Sequence, residues 1–444
     1  MCDEKNTKPA AVEPSDTAKA EQSETAKAEQ SEAATAEQSD TAKAEQSEPA
    51  KAEQSETAKA GSAMDGAVSL ALALIGAAME PARPCPSATE AEVTAAYLAA
   101  KRHDLGHLVA HAVLAGGILP EGSPLLPKLE QVRFTAVYRA ERIAHEARRA
   151  AAILEEAAIP HILLKGAVLR GLYPEEWMRT SSDVDILVPR LRHAEAARAF
   201  ASKGYAEGER GSHDVAFKSP AGISVELHYS LMEEGLSGKM EAPLSRIWEY
   251  AAPVAVGKWE HRLSDGAFYY YHVAHMAKHV LHGGCGIRPF LDLWIMRGRI
   301  PPSEALLDEG GLVPLARAAE ALADAGFLGG EMTPALHRLA RFVFTGGVYG
   351  TVENRVLASK ERKGGRLGYI LSRLFLPYAQ LAEAFPVIRR HKWLTPFYQV
   401  VRWWRMVRDG RMHRTLGELS AMKGADPAAA DDACLLMEEL SLYP

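Results

Sequence analysis

Cysteine is scarce: Cys2, Cys85, Cys285 and Cys434 are the only four in 444 residues. None has a neighbour at metal-ligand spacing, which excludes a zinc-ribbon or disulfide-scaffold reading and makes a reduced, cytoplasmic setting the simplest expectation. Long apolar runs are missing too. The longest, Ala67 to Met79, falls short of the about 20 residues that span a bilayer, so no transmembrane segment is expected. The opening Met1-Cys2-Asp3-Glu4-Lys5 lacks the apolar centre of a signal peptide. A one-signed charge excess is also absent from the foldable part. The acidity lies in residues 1–62, which hold seven Lys and fourteen Asp or Glu, a charge of −7; the remainder carries +1, which leaves −6 for the chain. A nucleic-acid partner stays possible but is not favoured by that balance.

What the first 62 residues do contain is an octapeptide. TAKAEQSE begins at Thr17 and recurs from Thr25, Ala33, Thr41 and Pro49, then decays from Thr57. Alanine is its one recurrent apolar residue, so nothing in it can bury a core and a disordered tail is expected. Foldable sequence starts near Met64. From 63 to 158 the pattern is helical: Leu70, Leu74 and Ala77 share a face, and so do Leu105, Leu108, Ala112 and Ala115. A long Ala- and Arg-rich helix is expected from Tyr138 to Ala158, stopped by Pro160.

The periodicity then changes. His161 to Lys165 and Val184 to Val188 read as strands, and Leu191 to Lys203 as a helix closed by Gly204. Asp214–Lys218 and Ile223–Tyr229 flank Ser219-Pro220-Ala221-Gly222, a hairpin signal. Residues 159–260 thus form an α+β core, and 261–444 are helical again.

On a strand, residues i and i+2 share a face. Asp183 and Asp185 therefore project together, opposite Val184, Ile186 and Val188. Adjacent carboxylates repel each other, and a pair of divalent cations, Mg2+ or Mn2+, about 3.5–4 Å apart resolves that repulsion and makes a phosphoryl-transfer site. In the next candidate strand Glu226 and His228 lie on one face, with Val225 and Leu227 on the other, so Glu226 can supply a third carboxylate. Lys165 and Gly166 close the first strand before an expected helix, where free amides and a point charge suit phosphate. Arg179, four residues before Asp183, can clamp a phosphate oxygen. Each motif alone has an ordinary reading as a turn or a solvated strand face. Their order is more specific.

That order resembles a bacterial nucleotidyltransferase family of the DNA polymerase beta superfamily. The resemblance rests on Leu164-Lys165-Gly166, Tyr173-Pro174, Arg179, Asp183-Val184-Asp185 and Glu226-Leu227-His228. His275, His279, Gly286, Arg288, Pro289 and Asp292 extend it. It implies a small mixed-sheet nucleotidyltransferase core flanked by helical regions. It also implies two metal ions held by Asp183, Asp185 and Glu226, with Lys165, Gly166, Arg179 and His228 around the nucleoside triphosphate, such as ATP. The reaction implied is transfer of a nucleoside monophosphate to an acceptor that the sequence does not name. A non-catalytic NTP-binding regulatory module and a phosphotransferase delivering the γ-phosphate stand as alternatives. One departure is visible: Lys165-Gly166-Ala167 occupies the place where most of the superfamily has Gly-Ser.

His272, His275, His279 and His282 fall on one helical face. Packing against the sheet, a phosphate-facing role with Arg288, and a metal site are all compatible with that spacing. Arg389 to Arg414 mixes charge with aromatics. An amphipathic helix whose Arg stems cover apolar surface explains it as well as RNA or membrane contact.

Overall fold

In a computed structural model the described residues are 66–231, 238–347, 375–376, 378, 381–382, 385, 387–408 and 427–442. The octapeptide stretch, Met64, Cys2 and the end of the basic stretch beyond 408 lie outside them.

The alternation around the carboxylates forms strands. Asp183–Leu187 is β2 and Ser224–His228 is β5. His161–Leu163 is β1, Ala206–Arg210 β3, Asp214–Lys218 β4, Ala251–Pro253 β6 and Glu260–Leu263 β7. They pair into one mixed sheet in the order β3-β4-β5-β2-β1-β7-β6. β2 runs parallel to β5 and antiparallel to β1. The β4–β5 hairpin turns at Gly222, whose φ of +76° is open to glycine at no steric cost.

Helices wrap the sheet. Along the chain they are α1 (66–79), α2 (Glu90–Lys101), α3 (Gly106–Ala115), α4 (Leu126–Glu156), α5 (Gly166–Leu169) and α6 (His193–Ser202). After the sheet come α7 (Asp265–Leu281), α8 (Arg288–Met296), α9 (Val313–Leu328), α10 (Pro334–Gly346) and α11 (Thr395–Arg408). α2 starts at a capping box between Thr89 and Glu92.

One face of the sheet is apolar. Val184, Ile186, Val225 and Leu227 pack with Phe200 of α6 and with Ala147, Ala150, Ile153 and Leu154 of α4. Small alanines let that helix approach the sheet closely. The opposite face carries the carboxylates and looks toward α7.

The structure moves several boundaries. α4 begins at Leu126, well before Tyr138, because Pro127 can start a helix but not sit inside one. The turn after Gly166 is a single four-residue helix, so its dipole is small, and the Ala167 and Val168 amides already donate to the Leu164 and Lys165 carbonyls at 3.1 Å. β3 is exposed along its whole length. β7 carries the sheet past residue 260. In α11, Arg405 lies over the Phe385 ring at 4.8 Å and Arg408 over Trp404 at 5.2 Å, the arrangement in which Arg covers apolar surface. No helix among the described residues is long and apolar enough to cross a membrane.

Candidate active site

The β2–β5 register sets Asp185 directly beside Glu226. Neighbouring strands lie about 4.8 Å apart, so the two carboxylates are forced together. Asp183 shares their face one step along β2. His228 Nε2 reaches Asp185 Oδ1 at 2.9 Å and Glu226 Oε2 at 3.5 Å. Lys165 Nζ, arriving from the end of β1, meets the same Asp185 oxygen at 3.0 Å.

These contacts split the two aspartates. Burial pushes Asp185 up, but Lys165 and His228 outweigh it and hold the carboxyl well below the usual range. Burial and the nearby Asp185 and Glu226 push Asp183 up to about 6, against the pull of Lys165. His228 moves the other way from a normal buried histidine: burial lowers it, yet its bonds to Asp185 and Glu226 leave it raised. The donor set fits a hard divalent cation. Asp185, Glu226 and His228 can each bring a ligand atom within 4.8 Å of the others, and Asp183 adds a carboxylate already crowded by its neighbours.

Lys165 holds a backbone angle φ of +42°, rare for a residue with a side chain. The strain aims Nζ back at β2. Gly166 is needed for a different reason: a Cβ there would stand 3.2 Å from the Ser181 Cβ, so the chain leading into β2 packs against bare backbone. Arg179 is placed otherwise than a phosphate clamp requires. Nε and Nη2 bind Asp292 at 2.7 and 2.9 Å, and Nη1 donates to the Thr180 carbonyl at 2.7 Å. Tyr173 donates to the same Asp292 at 2.7 Å. Arg179 thus fixes the loop before β2, although it borders the cavity.

That geometry can be set beside known proteins. The family model described as "Uncharacterised nucleotidyltransferase" matches residues 89–325, just over half of the chain. The chain belongs to this nucleotidyltransferase family. The match runs from α2 into α9 and includes every strand and every carboxylate named above. No curated protein and no solved structure matches the chain.

The nucleotidyltransferase site opens into a cavity of about 570 Å3. Lys165, Asp183, Asp185, Glu226 and His228 border it; Gly166 is not among its lining residues. α7 contributes His272, His275 and His279. His275 and His279 share a contact of 3.2 Å between their Nε2 atoms, and His272 Nε2 lies 3.0 Å from the Pro289 carbonyl. Burial, with Lys165 nearby, lowers both His275 and His279, the latter to about 4. Both thus stand neutral at physiological pH on the cavity wall. His282 turns to the Lys278 carbonyl at 2.7 Å.

Several lining residues escaped sequence reasoning, among them Lys101, Arg102, Asp104, Arg139 and His213. Asp104 lies in the turn between α2 and α3 and Arg139 on α4, far from any motif. His213 precedes β4 and, with Asp214 and His228, forms a second cluster of potential ligands. The signal available for it was the β4–β5 register, which pairs Asp214 with His228.

Proposed function

We propose that this chain catalyses metal-dependent transfer of a nucleoside monophosphate from an NTP to an acceptor hydroxyl or phosphate, with release of pyrophosphate. The observation that carries the reading is the in-register pair Asp185–Glu226, with Asp183 on the same face, inside one cavity of a nucleotidyltransferase fold. Asp183, Asp185 and Glu226 would hold two Mg2+ or Mn2+ ions in the manner of the polymerase beta type. Bound there, the ions would neutralise the carboxylates and draw electron density from the α-phosphate.

The chain's own groups divide the remaining work. Glu226, on the strand beside the aspartates, is placed to take the proton of an attacking hydroxyl. His228 donates Nε2–H toward Asp185 and fixes its carboxylate orientation. Lys165 contributes a cation on the cavity wall beside Asp185. The walls from α7 keep water away from the triphosphate.

Product analysis tests this. The full chain is incubated with ATP and Mg2+ or Mn2+ and candidate acceptors, and products are read by mass spectrometry together with pyrophosphate release. An acceptor heavier by one nucleoside monophosphate is expected. ADP without pyrophosphate would assign γ-phosphate transfer instead. Lys165 favours one rival reading, because its Nζ neutralises Asp185 without a cation. Tight NTP binding with no turnover on any acceptor would establish that non-catalytic binding module.

A further inference from the structure

Charge in the cavity is unevenly matched. Arg179 and Asp292 cancel each other, and Lys165 is met by Asp185. At the corner formed by Asp104 the account differs. One oxygen, Asp104 Oδ2, serves both Arg139 Nη2 and Arg288 Nη2 at 2.5 Å each, and Thr180 Oγ1 lies 3.3 Å from it. Lys101 and Arg102 border the same cavity and make no ion pair among the described residues. Two guanidiniums thus share one carboxylate oxygen, with two further cations on the same cavity wall. The guanidiniums are also incompletely satisfied: Arg139 Nε and Arg288 Nε are shut off from solvent with no acceptor, a costly state for a charged donor. Burial and the nearby Arg179 push Arg288 down from its ordinary value, consistent with an excess of positive charge there. Asp104 itself sits at φ +55°, a strain that non-glycine residues hold where the surroundings demand it.

We propose that the Asp104 corner is a subsite for a phosphate group, bound by Arg139 and Arg288 with Lys101 and Arg102 beside them. Asp104 holds the two guanidiniums apart and ready, as a placeholder anion. The nucleotidyltransferase reading enters only in naming the source of that phosphate, which is the tail of the NTP or a phosphorylated acceptor. Arg presents paired donors that suit phosphate oxygens, and two such forks converging on one point make an anion site and not a general basic surface.

The test is calorimetry of inorganic pyrophosphate against the full chain in chelator, where neither metal nor turnover contributes. The intact protein is expected to bind. Arg139→Gln is expected to weaken binding about tenfold, the scale of one charge-assisted hydrogen bond. The double change Lys101→Gln with Arg102→Gln alters only exposed side chains, so it keeps the fold and should weaken binding several-fold at low salt. Asp104→Asn should tighten it, since Asn keeps the shape, tolerates positive φ and removes the competing charge. Absence of binding, an affinity unchanged in both basic variants, or weaker binding in Asp104→Asn overturns the proposal. Repeating the titration with inorganic phosphate on protein loaded with Mn2+ and a non-hydrolysable NTP analogue separates the sources. Phosphate that still binds assigns the subsite to an acceptor, and phosphate that is excluded assigns it to the triphosphate. If no NTP is ever turned over, the functional reading fails while this binding result stands unaffected.

Discussion

Asp183 and Asp185 are two residues apart on one strand, yet they sit in opposite electrostatic circumstances. Asp185 is buried and has two donors, Lys165 and His228; Asp183 has carboxylate neighbours and rises to about 6. In metal-free protein, Asp183→Asn should hold or raise stability, because it relieves repulsion. Asp185→Asn should lower stability by about 1–3 kcal/mol, because it leaves the half-buried Lys165 without its charge partner. Urea unfolding in chelator separates the two, and equal effects would sink the assignment of Lys165 to Asp185. For nucleotidyl transfer the two converge. Each, like Glu226→Gln, should lose nearly all activity, and the double aspartate variant should be little worse than either single, since groups acting as one site are not additive. The shared face of the aspartates was legible from alternation alone. Which carboxylate stays charged was not. That depends on Lys165, whose strained backbone no local pattern announces.

Elements carry the next level of constraint, and Asp292 shows how. It lies wholly buried in α8 and gathers Arg179 and Tyr173 from the loop before β2. Removing the charge leaves Arg179 buried and unpaired, so Asp292→Asn should cost about 3–5 kcal/mol in urea unfolding. Arg179→Lys should also destabilise, since an ammonium cannot reproduce the two-point contact. A near-neutral effect of Asp292→Asn would mean that the loop is held by other contacts. This pairing explains why Arg179 read as a phosphate clamp in the sequence: an Arg shortly before Asp-x-Asp suggests a ligand contact, whereas its partner lies more than a hundred residues away. Strands with clear alternation, β2, β4 and β5, were legible within a residue or two. β3 has no apolar face to reveal it, and β6 and β7 are too short for periodicity to register. Glu207 and Glu209 fall on that exposed β3 edge, whereas Glu226 lies beside Asp185.

For the whole molecule, buried histidines set the response to acid. His103 and His107 are 2% and 5% exposed, and burial lowers each to about 4. His279 on the cavity wall is lowered to about 4 as well. An unfolded histidine titrates near 6.5, so as pH falls the unfolded chain takes up protons before the folded one does. Stability contributed by the neutral forms is therefore complete above about pH 6.5 and is lost progressively toward pH 4. His228, raised by its carboxylate partners, runs in the opposite direction and offsets part of the loss. His103 and His107 together should remove about 2–3 kcal/mol per pH unit within that window. Urea unfolding of the metal-free chain at pH 7, 6 and 5 measures the slope. His103→Leu should reduce it by about 1.4 kcal/mol per pH unit, because the unfolded chain then has one fewer proton acceptor while the buried site stays apolar. Stability unchanged between pH 7 and pH 5 would show that these histidines are already charged in the folded protein. It would also remove the basis for treating the wall next to the carboxylates as neutral at the pH where the site is proposed to work.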